Sequence, residues 1–160
     1  MSEYTAPLKD ITFVLKHVVG LEDIAKLPGC EEVSDDLAEA ILDEAGKFSA
    51  AVLSPINRSG DLEGARWKDG VVTTAKGFKD AYNKYVEGGW SLIAGPTEYG
   101  GQGLPHSIAI PVSEMLGSAN MAFKLCPLLT NGAVDALVEH ASQEIKDVYL
   151  PKMVAGEWTG

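Results

Sequence analysis

The segment Gly100-Gly101-Gln102-Gly103 has the composition of a phosphate-binding loop. Successive backbone amides ahead of a helix can bind an anion, because their N–H groups point towards it. The segment lacks the Gly-Lys-Ser/Thr ending of a P-loop, and it does not fit the Gly-x-Gly-x-x-Gly dinucleotide pattern. Two interpretations stay open, an anion-binding loop and a loop that packs tightly across a helical layer. We favour the second.

Histidine is the side chain best suited to proton transfer near neutral pH, and the chain has three, His17, His106 and His140. They lie far apart in the sequence, so we expect ordinary surface or helix-end positions, with His106 beside the glycine segment as the strongest candidate. The sequence also lacks the Gly-x-Ser-x-Gly and His-Glu-x-x-His motifs of two hydrolase classes. Motifs therefore assign no catalytic, cofactor-binding or metal-binding residue.

Acidic residues crowd positions 31–44. Asp35, Glu39 and Asp43 repeat at intervals of four, which places them on one face of a helix, away from the apolar stripe that begins at Leu37. A catalytic pair of carboxyl groups needs one buried member with a raised pKa. We therefore expect a solvated helix face here and not an active site.

Apolar residues recur at helical spacing through most of the chain, and this periodicity predicts a helical protein. The patterns predict a helix from an Asp10 cap to Gly20 and a second from a Ser34 cap to Pro55. Further helices are predicted over 78–86 with a Thr74 cap, from Pro105 to Leu116, and over 121–129, 133–141 and 143–150.

Three segments lack the helical period. Residues 56–74 are rich in turn formers and predict a long loop, with a small hairpin at Asp69-Gly70. Trp90–Ala94 is predicted to be extended, and four glycines and two prolines make 95–105 an irregular loop. The predicted fold class is all-α, an antiparallel helical bundle with an irregular glycine-rich loop and minor β content.

The stretch Met121–Leu129 is apolar on all sides, which is unusual for a helix at a protein surface. Such a helix is either part of the buried core or the wall of an apolar pocket. Composition alone favours the core.

The composition limits the classes of protein to consider. The 160 residues include 13 Lys plus Arg against 23 Asp plus Glu, a net charge of −10, and 46% are hydrophobic. This is enough apolar material for a core, and the absence of a basic cluster argues against a nucleic-acid partner.

The chain start, Met1-Ser2-Glu3-Tyr4, does not resemble a secretion signal, and the apolar runs are shorter than the roughly 20 residues that span a bilayer. We expect a cytoplasmic protein with no membrane span and with Cys30 and Cys126 reduced.

Three stretches together resemble the N-terminal helical domain of the acyl-CoA dehydrogenases. They are Tyr99–Leu104 (Tyr-Gly-Gly-Gln-Gly-Leu), Glu114–Asn120 (Glu-Met-Leu-Gly-Ser-Ala-Asn) and Tyr149–Gly160, the last similar to the run that leads into that family's middle β-domain. The opening Tyr4–Asp10 is similar to the N-terminal extension of a longer subfamily that includes 3-methylmercaptopropionyl-CoA dehydrogenase-like enzymes. The implied organisation is an N-terminal extension over 1–33 and the N-terminal helical domain over 34–160.

The resemblance implies an FAD enzyme that removes a proton from Cα and a hydride from Cβ of an acyl-CoA, giving the trans-2-enoyl-CoA. Its implied partners are the acyl-CoA substrate and an electron-transfer acceptor, and it is implied to be a homo-oligomer. In that family the flavin is held mainly by the middle and C-terminal domains, and the catalytic Glu lies on the C-terminal domain. We therefore expect this chain alone to be inactive.

The resemblance also implies an acyl pocket. The family helix that lines the fatty-acyl cavity corresponds to residues 123–131, so Leu125, Leu128, Leu129 and Thr130 are the candidate substrate-binding residues. A free-standing helical module that docks a protein partner through Met121–Leu129 is the alternative function.

Overall fold

The computed structural model describes residues 4–160 and is built mainly of α-helices, as the sequence predicts. The helices are α1 (Leu8–Val14), α2 (Leu21–Ile24), α3 (Asp35–Phe48), α4 (Ser54–Glu63), α5 (Phe78–Glu87), α6 (His106–Ala119), α7 (Met121–His140) and α8 (Gln143–Val154). Single π-helical turns extend α1 over Leu15–Val19 and join α3 to α4 over Ser49–Leu53. Short 3₁₀ turns lie at Trp90–Leu92 and Thr97–Tyr99.

The minor β content is one antiparallel hairpin of β1 (Arg66–Lys68) and β2 (Val71–Thr73). Its turn at Asp69-Gly70 confirms the prediction, and both residues have positive φ, 51° and 81°. That pair of angles is typical of a type I′ turn, whose twist matches that of the two strands.

The N-terminal segment packs on the main helical body. Helix α1 begins at Leu8 after Pro7, so Asp10 lies in the first turn and is not the predicted cap, while Gly20 ends the π turn with φ 76°. Ile11 and Leu15 are buried in the largest apolar cluster. Residues 1–3 of the predicted 1–33 extension lie outside the described residues.

The acidic face of α3 is largely solvated, and it also carries ion pairs. Lys16, from the π turn after α1, contacts Asp35 at 2.9 Å and Glu39 at 2.8 Å, and Lys47 contacts Asp43 at 2.7 Å. The lysines neutralise part of the negative charge. The Lys16 pairs also connect the N-terminal segment to α3.

Helix α3 begins as predicted, because Ser34 Oγ accepts a hydrogen bond of 3.2 Å from the Leu37 N–H. The predicted stop at Pro55 is wrong. Pro55 lies in the first turn of α4, where its missing N–H removes no helical hydrogen bond. Residues 56–63 are therefore helical and not part of the predicted loop, and Gly60 lies against the ring of Phe78 with no room for a side chain.

Three other predicted boundaries are also wrong. Helix α5 begins after Gly77, and Thr74 does not cap it; Gly88 follows its last residue, Glu87. Trp90–Leu92 is a 3₁₀ turn and not an extended segment. The two helices predicted over 121–129 and 133–141 are one helix, α7.

The glycine-rich loop is closely packed, in agreement with the interpretation that we favoured. Gly101 lies directly on the backbone of Gly95, where a side chain would overlap the Gly95 carbonyl. The N–H groups of the loop donate to backbone carbonyls within residues 92–97, among them Gln102 to Leu92 at 2.7 Å and Gly103 to Gly95 at 2.9 Å. These amides are therefore not available to an anion.

The core lies between α3, α5, α6 and α7. Its centre includes Leu42, Tyr85, Met115 and Phe123. Tyr85 packs edge-on against Phe123 with ring centroids 5.7 Å apart, and burial raises the pKa of its phenol. A second cluster around Leu150 holds α8 against the second half of α7.

A buried amide stands at the junction of α6 and α7. Asn120, the single residue between the two helices, accepts a hydrogen bond of 3.0 Å from the Phe123 N–H through Oδ1. Its Nδ2 donates to the Leu53 carbonyl at 3.2 Å, and the side chain is fully buried. One residue therefore caps α7 and binds it to the turn between α3 and α4.

Replacing this amide should destabilise the fold. Asn120→Ala removes the cap of α7 and leaves the buried Leu53 carbonyl without its side-chain donor, so we expect a loss of about 2 to 4 kcal/mol in the free energy of unfolding. Urea denaturation measures the change. Ser142→Ala is the matched control, because Ser142 precedes α8 without making a capping hydrogen bond, and it should cost no more than about 0.5 kcal/mol. Equal losses in the two variants would contradict the role of Asn120.

Candidate functional site

A cavity of about 300 Å³ lies between α5, the Trp90–Leu92 turn, α6, α7 and the end of α8. Two helix faces form its sides. On α6, His106, Ala109, Ile110 and Ser113 repeat at helical spacing, and on α7 Lys124, Leu128, Asn131 and Asp135 do the same. The cavity is therefore a groove between two adjacent helices that continues inwards towards α5.

The inner part of the groove is apolar. Its lining includes the buried side chains of Ile93, Val112, Leu116, Val134 and Met153. The outer part is polar, since Asn131 and Asp135 are exposed and Lys124 is half-buried. This arrangement suits a ligand with an apolar end inside and a polar or charged end towards solvent.

Two of the four predicted pocket residues line this cavity. Leu128 lies at its side with 45% of its surface exposed, and Thr130 is buried. The Thr130 hydroxyl donates to the Cys126 carbonyl at 3.3 Å and accepts from the Gly160 N–H at 3.2 Å. The first hydrogen bond lies within α7, and the second connects α7 with Gly160.

The other two predicted residues lie on a different face of α7. Leu125 and Leu129 are 52% and 62% exposed and do not line the cavity. Because a helix turns by 100° per residue, the run 123–131 cannot present all its side chains to one groove. Phe123 is buried in the core, whereas Pro127, also buried, lines the cavity beside Leu128. The apolar stretch therefore has members in the core and members at the cavity.

Several lining residues were missed by sequence reasoning. The spacing of Lys124, Asn131 and Asp135 on α7 is a signal that could have identified them, since they share a face with Leu128. Ser91 had no such signal, because it lies in a turn that has no periodicity. His106, the histidine singled out beside the glycine segment, does line the groove at the first turn of α6.

Lys124 lines the groove, and its side chain passes over α6 at Gly117. A side chain at Gly117 would come within 3.2 Å of Lys124 Cδ, so the glycine makes room for the lysine's methylene groups. Among residues 4–160, Lys124 has no ion-pair partner. Its positive charge therefore contributes to the electrostatic potential of the groove without a neutralising contact.

Tyr82 is a weakly acidic group that lines the cavity, and Cys126 is a second one that lies on α7 outside the lining. Burial raises the pKa of the Tyr82 phenol, and burial also raises the pKa of the Cys126 thiol. Both groups therefore keep their protons at neutral pH. Tyr82 uses its proton to donate to the Gly156 carbonyl at 2.9 Å, and Cys126, like Cys30, is a free thiol.

The glycine-rich loop and the cavity offer few groups that could hold a flavin. A dinucleotide carries a pyrophosphate, which proteins hold with free backbone amides or basic side chains. The amides of the glycine-rich loop are used within the loop, and Lys124 is the one Lys or Arg among the residues that line the cavity. Nor does any group of three or more His, Cys, Asp or Glu within 4–160 have the placement to hold a metal ion.

Helix α7 is long and apolar enough, by length and composition alone, to cross a membrane. The sequence analysis divided this helix into two shorter ones, 121–129 and 133–141, so its full length was not recognised there. A domain helix can satisfy the same criterion, and α7 packs against α6 and α8 through buried Phe123, Thr130 and Val134. We therefore interpret α7 as a helix of this domain with an exposed apolar face at Met121, Leu125 and Leu129.

Comparison with known proteins gives one consistent family. Residues 35–157 match the family model described as acyl-CoA dehydrogenase, N-terminal domain. The chain is 41% identical over 157 residues to a 3-methylmercaptopropionyl-CoA dehydrogenase of Ruegeria pomeroyi, covering 98% of this chain and 27% of that protein. Two butyryl-CoA dehydrogenases of Syntrophomonas wolfei are 33% and 30% identical, with 98% and 99% of this chain covered and 26% and 27% of theirs. The chain thus spans about a quarter of the length of these curated relatives.

The exposed face of α7 should make the isolated 160-residue chain self-associate, because contiguous apolar patches drive association in water. We expect sedimentation velocity to show concentration-dependent oligomers. The double substitution Leu125→Lys with Leu129→Lys should shift the chain towards monomer. Leu62→Lys, at an exposed leucine of α4, is the control and should not do so. A monomer at all concentrations would contradict this prediction.

Proposed function

The chain belongs to the acyl-CoA dehydrogenase family, as its N-terminal domain, and from this premise we propose that it forms part of the acyl pocket of an enzyme that oxidises an acyl-CoA to the trans-2-enoyl-CoA. The observation that carries the proposal is the groove between α6 and α7, with an apolar interior and a polar, solvent-facing edge. An acyl-CoA has the matching character, an apolar chain joined to a large, charged carrier.

The groove supplies binding energy and orientation. Each methylene that leaves water for an apolar surface contributes about 0.8 kcal/mol. The side chains of Val112, Leu116 and Val134 provide such a surface, and Leu128 on α7 borders it. The cavity volume of about 300 Å³ lies at the lower limit of ordinary ligand pockets, so this part of the pocket has room for a short acyl chain.

The chemical step requires groups beyond this chain. The proposed reaction breaks one C–H bond at Cα and one at Cβ and forms the double bond between them. The one carboxylate that lines the groove, Asp135, is exposed, whereas a base for a weakly acidic carbon needs an environment that raises its pKa. We propose that a glutamate of another domain is the base that takes the Cα proton, and that FAD, bound by the other domains, would accept the hydride from Cβ. This domain positions the acyl chain.

The remaining parts of the proposal follow from the family resemblance. They are an electron-transfer acceptor that reoxidises the enzyme, a homo-oligomeric assembly and a role in fatty-acid metabolism. The cytoplasmic location that we propose comes instead from the sequence expectation stated above. The curated relatives are named for two different short acyl groups, 3-methylmercaptopropionyl and butyryl. We therefore propose a short-chain acyl-CoA as the substrate class.

A second candidate function is protein binding through the exposed α7 face. Met121 and Leu129 are 57% and 62% exposed, which favours a covering partner. The two functions are distinguished by activity. Oxidation of short-chain acyl-CoA by the full-length protein supports the enzyme, whereas its absence together with stoichiometric binding of another protein to this face supports the module.

The division of labour between domains can be tested directly. The isolated chain should neither bind FAD tightly nor reduce an electron-accepting dye with butyryl-CoA, because its loop amides are already hydrogen-bonded. The full-length protein should do both. Fluorescence titration with FAD and dye reduction measure the two properties. Tight FAD binding with turnover by the isolated chain would show that the proposed division is wrong.

The pocket itself can be tested at Leu128 in the full-length enzyme. Leu128→Trp should lower kcat/KM for octanoyl-CoA at least about tenfold relative to butyryl-CoA, since the larger ring occupies space in the groove. The melting temperature should change little. Leu62→Trp, at an exposed leucine outside the groove, is the control. Leu125→Trp tests whether the pocket extends onto the neighbouring face of α7.

The opposite result is equally specific. If Leu128 were a core residue, the same substitution would cost about 1 to 3 kcal/mol of stability through overpacking and would leave the ratio of the two kcat/KM values unchanged. That pair of results would contradict the pocket assignment and leave the family assignment intact.

A further inference from the structure

Helices α6 and α7 bring two hydrogen-bond donors together at the end of the groove nearest to their junction. A second, more open depression adjoins the groove there, and three residues line both spaces, Ile110, Ser113 and Lys124. Ser113 lies on α6 and Lys124 on α7, the two helices that form the sides of the groove. Because they line the same spaces, one ligand group can contact both donors.

Lys124 gives this end of the groove a positive charge. Within the described part of the chain it is the one Lys or Arg that lines either space. The side chain is half-buried and has no ion-pair partner among residues 4–160. A partly desolvated cation without a counter-charge is unfavourable, so an anionic ligand group would gain from contact with it.

The position of the lysine is restricted by the helix that it crosses. Gly117 is buried, and a side chain there would come within 3.2 Å of Lys124 Cδ and 3.5 Å of Met121 Cε. The methylene groups of Lys124 therefore lie over α6 where the glycine makes room for them. Ser113 is one helical turn before Gly117 and so shares its face of α6.

Two carboxylates line the same spaces, and neither neutralises the lysine. Glu114 lines the depression, where it is exposed and makes no ion pair with Lys124 within the described chain. Asp135 lines the groove eleven residues further along α7, which is about 16 Å at the rise of an α-helix. An anionic group is therefore favoured at the Lys124 end and disfavoured at the Asp135 end.

The chemistry of an acyl-CoA limits which of its anionic groups can reach Lys124. A long uncharged arm separates the thioester from the phosphates of the carrier. When the acyl chain lies in the groove, the phosphates lie beyond the groove by the length of this arm. An anion at Lys124 then belongs to the acyl chain itself, and a carboxylate is the anionic group that suits an ammonium and a hydroxyl donor.

We propose that Lys124, together with Ser113, binds a carboxylate at the end of the acyl chain, and that the substrate class is short-chain acyl-CoAs that carry this group. This inference rests on the proposed acyl-CoA function. It predicts an optimum of chain length, because the stem of the lysine lies against Gly117 and its reach into the groove is limited.

The experiment uses the full-length protein and three pairs of substrates matched in carbon number: butanoyl- and succinyl-CoA, pentanoyl- and glutaryl-CoA, and hexanoyl- and adipoyl-CoA. Calorimetry without an electron acceptor gives Kd, and dye reduction gives kcat/KM. The unmodified protein should bind the carboxylate member of at least one pair more tightly. Lys124→Met keeps an unbranched stem without the charge and should lower this preference at least about tenfold, the lower end for a hydrogen bond between charged groups.

Three further variants accompany this substitution. Lys124→Arg retains the charge and should keep the preference. Ser113→Ala removes the second donor and should lower the preference about three- to tenfold, which tests the site even if Lys124→Met does not fold. Lys84→Met is the matched control, because Lys84 is an exposed lysine of α5 that lines neither space, and it should leave every pair unchanged.

Two results would overturn the inference. Weaker binding of the carboxylate member in all three pairs would show that Lys124 does not receive this group. An equal change for both members of each pair in Lys124→Met would place the lysine against the thioester or the carrier, which all six substrates share. Failure of the proposed function is different, because the unmodified full-length protein would then neither bind nor oxidise any of the six acyl-CoA thioesters.

Discussion

The buried amide of Asn120 fixes the arrangement on which the groove depends. Helices α6 and α7 are separated by this residue alone, so its extended backbone, with φ −159° and ψ 93°, sets the direction in which α7 leaves α6. Its hydrogen bonds to the Phe123 N–H and the Leu53 carbonyl hold that direction against the turn between α3 and α4. Because the groove is the space between α6 and α7, its width depends on one buried polar side chain whose oxygen and nitrogen are both hydrogen-bonded.

The elements that could be predicted from sequence are those whose ends are determined locally. The Ser34 cap, the stop at Gly20 and the turn at Asp69-Gly70 depend on side chains or φ values within a few residues. Two of the errors concern helix continuity. Pro55 was assigned as a stop, yet it occupies a first turn, and the gap predicted between residues 129 and 133 lies inside the continuous helix α7. Packing of the flanking residues, which local propensity does not contain, decides these cases.

From the sequence, the candidate site could be assigned to a segment of the chain but not to individual residues. The family resemblance directed attention to residues 123–131, but it could not separate the face of α7 that borders the groove at Leu128 from the face that carries Leu125 and Leu129. That separation needs the rotation of α7 about its own axis, which its neighbours fix. The place of Ser91 in the cavity lining could not be predicted from the sequence, because its neighbours come from chain segments far apart. The hydrogen bond from the Tyr82 hydroxyl to the Gly156 carbonyl, for example, joins residues 74 positions apart.

The glycine-rich loop connects these observations, because it positions the site without binding a ligand itself. The carbonyl of Leu92, next to Ser91, accepts hydrogen bonds from the Gly95 and Gln102 N–H groups at 3.2 and 2.7 Å. The Leu104 N–H donates to Ile93 at 2.9 Å, which fastens the same turn to the residue that leads into α6. The loop can close this tightly only because Gly101 has no side chain to strike the Gly95 backbone. The motif with the composition of a phosphate-binding loop thus uses its amides to hold the Ser91 turn against α6, which keeps the inner end of the groove in place.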